Sequence, residues 1–116
     1  MKIRKFEEIV AWQKAQDLAV EIFKIFGDSR DYGFKDQIWK AVVSISNNIA
    51  EGFDRRTNKE FRQFLFIARG SCSEVKSMLL LSRRIGYIEN ERMSKLIAVC
   101  EEIARIIMGL IKSLSY

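Results

Sequence analysis

The chain has no proline and no histidine, only six glycines, and two cysteines in 116 residues. Nothing in that composition interrupts long helices, and the wealth of Ile, Leu, Ala, Lys, Glu and Arg favours them. Without histidine, the Glu-x-x-His ligand sets of di-iron bundles are excluded and a zinc site is disfavoured. The cysteines, Cys72 and Cys100, form no Cys-x-x-Cys pair and fall at apolar helical positions, which reads as two reduced core thiols. No apolar run reaches the roughly 18 residues that span a bilayer. Lys2, Arg4 and Lys5 are basic, but Glu7 and Glu8 follow where a secretion signal needs an apolar core. The expectation is a cytoplasmic protein with no membrane partner. No nucleophile–base pair, phosphate-binding glycine loop or metal cluster is present, so no catalytic residue, no metal and no cofactor is expected.

What is present is helical periodicity. One domain over residues 1–116 is expected, an all-α antiparallel up-and-down four-helix bundle. Its first helix, Phe6 to Phe26, carries an apolar stripe on Phe6, Ile9, Val10, Ala15, Leu18, Ala19, Ile22, Phe23 and Phe26. The second runs from Phe34 to Glu51 on Ile38, Val42, Ile45 and Ile49, with Gly52 as its expected stop. The third opens on Thr57-Asn-Lys-Glu60, a capping box, and runs from Asn58 to Ile85, where Gly86 ends it. The fourth runs from Asn90 to Leu114. Short connections between long amphipathic helices force antiparallel neighbours.

Charge is segregated. Phe53 to Arg84 holds eight basic and three acidic residues, which is the chain's whole net charge of +5. In heptads with Phe61 at position a, positions a and e read Phe61, Leu65, Ala68, Cys72, Val75, Leu79 and Ser82. Positions d and g read Phe64, Ile67, Ser71, Glu74, Met78, Leu81 and Ile85. Two readings of this double seam stand: a central helix touching two neighbours within one bundle, or one seam for the protomer core and one for another subunit. Position b reads Arg62, Arg69, Lys76 and Arg83, with Arg55 extending the series backwards and Arg56, Lys59 and Arg84 broadening it. Phe66 lies between Arg62 and Arg69 and is either a stacking platform for a base or a subunit contact. The cations are candidate phosphate contacts for RNA or DNA, spaced about 10 Å apart along the axis. Such spacing suits sequence-tolerant, salt-dependent binding. The other reading is a solvated face that serves solubility, on a protein-interaction scaffold.

Gln37, Ser44, Asn48 and Glu51 line one side of helix two, and Ser71 and Glu74 sit within the apolar seam of helix three. A hairpin turning near Arg55 places Gln37 by Ser71 and Glu74, and lets Glu51 meet Arg55. These polar groups read as register-fixing hydrogen bonds, or as the lining of a small-molecule pocket.

Several of these segments together resemble a known family. They are Ser44-Ile-Ser-Asn-Asn-Ile-Ala-Glu-Gly52, Arg55-Arg-Thr-Asn-Lys-Glu-Phe61, Phe64-Leu-Phe-Ile-Ala-Arg-Gly-Ser71 with Glu74, and Gly86-Tyr-Ile88. Phe6, Trp12-Gln13, Ala15, Leu18-Ala19, Ile22-Phe23, Asp36-Gln37 and Ala41 extend the likeness to the front of the chain. It is similar to the four-helix-bundle proteins named for the intervening sequences of 23S ribosomal RNA genes. The first connection, Phe26 to Gly33, and Trp39 depart from that pattern. The resemblance implies an up-and-down bundle, a ring of five subunits, and kinship with the nucleic-acid-binding accessory subunit of diversity-generating retroelements. It supplies no catalytic residues, and for most such proteins the function is unknown.

Overall fold

The structure is a computed structural model that describes residues 2–114; positions 1, 115 and 116 of the expected domain lie outside the described residues. A 3-10 turn, Phe6–Glu8, precedes four helices: α1 (Val10–Phe26), α2 (Tyr32–Phe53), α3 (Asn58–Arg84) and α4 (Asn90–Ser113). Each packs on its neighbour in the chain, and α1 closes on α4, while the diagonal pairs do not approach one another among the described residues. This is the expected antiparallel bundle, 45 × 22 × 19 Å. Among the described residues, no helix is long and apolar enough to cross a membrane.

The helices form where periodicity and caps agree. Thr57 Oγ1 accepts the Glu60 amide at 3.1 Å and donates to the Glu60 carboxylate at 3.2 Å. The Glu therefore meets the Thr hydroxyl, whereas a full capping box would send it to the Thr amide. At the other end of α3, Gly86 takes φ +83, in the left-handed region open to glycine. There the Tyr87 amide reaches Ser82 O at 2.8 Å and the Gly86 amide reaches Arg83 O at 3.2 Å, a Schellman stop. Leu18, Ile22, Ile38, Ile45, Ile49, Leu65, Leu79, Ile103, Ile107 and Ile111 are fully buried and fill the centre.

Four expectations need correction. The first helix does not begin at Phe6: Ile9 is extended (φ -75, ψ 119), buried, and separates the 3-10 turn from α1. Gln13 Nε2 donates to Glu7 O at 2.8 Å, which satisfies a carbonyl of the turn and holds that break in place. Val10 and Phe23 lie outside the core although they fit the stripe. The second helix begins two residues early because Asp31 caps it, its carboxylate accepting the Phe34 amide at 3.1 Å. Gly52 is not a stop. It sits buried inside α2, where an added Cβ would lie 2.6 Å from Phe64 Cβ, so it marks the closest approach of α2 to α3.

Asp31 also ties two loops together, because Tyr87 Oη donates to its other carboxylate oxygen at 2.7 Å. The Tyr87 hydroxyl and then the Phe34 amide hold the Asp31 carboxyl below its ordinary pKa. A group depressed on folding contributes stability above its unfolded pKa, and that contribution fades as pH falls through the folded one. Tyr87→Phe should therefore melt at a lower temperature than the parent at neutral pH, with the gap closing once pH falls below the usual Asp value of about 3.9. Thermal melts across a pH series check this; a gap that persists to the lowest pH would refute it.

Candidate nucleic-acid interface

On α3 the a and e positions behave as their spacing requires. Phe61, Leu65, Ala68, Cys72, Val75, Leu79 and Ser82 are all buried. The d and g seam does not enter the core as a whole. Ser71 is buried against α2 and Phe64 and Met78 are half-buried, but Ile67, Leu81 and Ile85 stay 52%, 48% and 47% exposed. The protomer thus does not use both seams of α3.

The basic row lies on the flank of α3 that faces α4. Lys76 fixes this, because its Nζ meets Glu101 Oε2 of α4 at 3.0 Å. Both partners are about half exposed, so the pair contributes roughly 0–1 kcal/mol. Arg55 is also engaged: its guanidinium is 3.0 Å from Glu51 and sits 4.8 Å above the Phe64 ring centre. Arg62 is half-buried. Arg56, Lys59, Arg69, Arg83 and Arg84 are exposed and take part in no ion pair among the described residues. Two of the eight candidate cations are therefore held by carboxylates of the chain itself, and five remain open to solvent without an ion-pair partner.

The surface that points away from the bundle is not cationic at its centre. It carries Phe66 and Ile67 at one end, Leu80 and Leu81 at the other, all exposed, with Gly70, Ser73 and Ser77 between them. A Cβ at Gly70 would meet nothing within 4 Å, so no contact inside the protomer requires a glycine there. A mid-helix glycine costs about 1 kcal/mol relative to alanine. Phe66 thus stands beside Ile67 in an apolar strip, with the arginines along its edge. Ile67 and Leu81 come from the d and g seam and Phe66 was a candidate subunit contact; Leu80 was missed, and its signal was the pairing of bulky residues at 66/67 and 80/81 around small ones.

The polar residues of α2 divide into two groups. Ser44 and Ser71 share a hydrogen bond of 2.9 Å across the helix pair, Asn48 Nδ2 donates to Ser44 O at 2.8 Å and to Ser44 Oγ at 2.9 Å, and Ser71 donates to Ile67 O. This is a register lock. The side chains of Gln37 and Glu74 come to one groove as expected, but among the described residues neither forms a hydrogen bond or ion pair. They line an open groove of about 420 Å³ with Gly33, Asp36, Lys40, Ala41 and Ser44. Glu51 lies at the hairpin end with Arg55, away from the groove that Glu74 lines. A second interhelical bond, Gln16 Nε2 to Ser46 Oγ at 3.0 Å, had no distinct signal in the sequence. Burial pushes the Cys72 and Cys100 thiols up to about 12, so both are protonated at neutral pH and poor nucleophiles. Among the described residues no group of three or more metal-ligating side chains gathers.

A family model described as 23S rRNA-intervening sequence protein matches residues 7–109. Among solved structures, a crystal structure of a protein with unknown function from the S23 ribosomal protein family of Bacteroides thetaiotaomicron VPI-5482 has the same fold. It superposes with a TM-score of 0.82 at 25% identity, over 89% of this chain and 99% of that one. No curated protein matches the chain significantly. Neither description names an enzymatic activity.

Proposed function

The chain belongs to the 23S rRNA-intervening sequence protein family, and on that premise we propose that it is a homo-oligomer that binds RNA or DNA through the cationic flank of α3. The observation that carries this reading is the segregation of charge. All of the net +5 falls on residues 53–84, and Arg56, Lys59, Arg69, Arg83 and Arg84 stay exposed on that segment without ion-pair partners. Cations left open to solvent in a row are free to displace the counterions condensed on a phosphate backbone. The row offers no base-reading geometry, so affinity depends on charge and tolerates any sequence. The oligomer follows from the outward apolar strip, with Phe66 and Ile67 as subunit contacts. A second copy covering Ile67 and Leu81 removes apolar surface from water and gives Gly70 a reason, the close approach of another helix. Phe66 is then part of the glue and not a stacking platform.

Titrating a labelled oligonucleotide across a salt series tests the binding. The wild type should bind at low salt, with log K falling linearly against log salt by about 0.7–0.9 per phosphate contact. Arg69→Glu/Arg83→Glu/Arg84→Glu should abolish binding at moderate salt, because all three residues are exposed and none is committed to an internal ion pair. Absence of binding at low salt, or a triple variant that binds as the parent does, rules the reading out. Lys76 is left out of the variant because reversing it would set two carboxylates against each other at Glu101.

A further inference from the structure

We propose that the N-terminal segment, Lys2, Arg4 and Lys5, forms one phosphate-contacting surface with Arg56 and Lys59, so that a bound nucleic-acid strand follows the flank of α3 and then turns around this end of the bundle. The inference rests on the nucleic-acid reading above and adds a second contact region to it.

Two interhelical bonds place the segment. Gln16 to Ser46, at 3.0 Å, sets α1 against α2 in antiparallel register. Counting back from Gln16 and forward from Ser46 brings the 3-10 turn level with the α2–α3 connection that carries Arg56. Lys14 to Glu102, at 3.0 Å, does the same against α4 and brings the start of the chain level with Lys112. The turn itself packs on α1 and α2. Cations from the chain start, the α2–α3 connection and the end of α4 thus share one end of the molecule.

The segment is anchored. Ile3 and Phe6 pack on the buried cluster, and the Phe6 ring meets Trp12 edge-on at 5.4 Å. The Arg4 amide donates to the Glu8 carboxylate at 3.2 Å. With Ile3 inward, the alternation of an extended chain sends Lys2 and Arg4 outward, and both are exposed, as is Lys5. None of the three takes part in an ion pair among the described residues. Glu7, Glu8, Asp54 and Glu60 at the same end partly offset this charge. Positive charge held in place by an anchored backbone loses less entropy on contact with a phosphate than charge on a loose tail. The patch is built of ammonium and guanidinium groups, which suit a polyanion's phosphate backbone.

The test compares two variants of the full chain, Lys2→Glu/Arg4→Glu/Lys5→Glu and Arg69→Glu/Arg83→Glu/Arg84→Glu, by fluorescence anisotropy with a short labelled single strand at several salt concentrations. The N-terminal variant should keep the helical circular dichroism and solution mass of the parent. Its affinity should fall about tenfold or more, and its salt slope should fall by about two units, for three phosphate contacts at about 0.7 each. The neutral variant Lys2→Gln/Arg4→Gln/Lys5→Gln should lose affinity in the same direction, which separates lost contacts from added repulsion. If the N-terminal variants bind as the parent does while the α3 variant fails, the turn around the bundle end is wrong and the α3 reading survives. If the wild type itself binds no oligonucleotide at low salt, or binds only anionic lipid vesicles, both fall.

Discussion

On the proposed homo-oligomer, Ile67→Glu/Leu81→Glu should leave a monomer of 13.5 kDa by light scattering, with its helical content intact. Both residues lie on the side of α3 that the protomer leaves in water, at 52% and 48% exposed. Neither charge therefore enters the protomer core, and folding should be little affected. Within a subunit interface the same carboxylates would lose their hydration without a partner, a penalty of several kcal/mol per ion. That asymmetry makes the double variant diagnostic: it removes association and spares the fold. An unchanged mass in the variant, or a wild type that already scatters as a monomer, would show that this strip does not join subunits.

The second large effect concerns two glycines on adjacent helices. Gly52→Ala should destabilise the protomer by about 1–3 kcal/mol, the usual cost of forcing extra volume into a packed site. The added methyl would lie 2.6 Å from Phe64 Cβ and 3.0 Å from Phe61 Cδ1, and the Cβ of Phe64 belongs to the start of its side chain and cannot swing away. Either α2 and α3 separate or the Phe61 ring leaves its place at 5.9 Å from Phe53. Gly70→Ala should do the reverse and stabilise the protomer by about 1 kcal/mol through helix propensity, since nothing lies within 4 Å of the new methyl. Urea unfolding of both substitutions, made in the Ile67→Glu/Leu81→Glu background, measures this without interference from the proposed association. Equal effects at the two glycines would contradict the packing described for Gly52.

These cases show which parts of the molecule were legible in the sequence. Helix termini that depend on a few adjacent residues, Thr57 to Glu60 and Arg83 to Tyr87, follow from local chemistry and are where the spacing puts them. The a and e seam of α3 is a local periodicity and is buried throughout. Gly52 looked like a stop because a glycine after a helix commonly is one; its real role depends on Phe64, twelve residues along the chain and across a turn. The hairpin still turns near Arg55, between Phe53 and Asn58, but the hydrogen bond across it joins Ser44 to Ser71, while Gln37 shares the groove with Glu74. Asp31 was given no role, although Asp three residues before an apolar Phe at a helix start is a capping signal. Arg62, Arg69, Lys76 and Arg83 lie along α3, but which cations remain available depends on Glu51 and on Glu101, a residue of the next helix.

The protonated thiols have a practical consequence. Cys72 and Cys100 lie on the two helices that pack as α3 and α4, each 2% exposed. An alkylating reagent attacks thiolate, so the native chain should react slowly and each transient parting of these helices should be recorded as a covalent adduct. The natural sequence therefore carries its own clock for the loosening of that seam, readable by mass spectrometry without a single engineered residue.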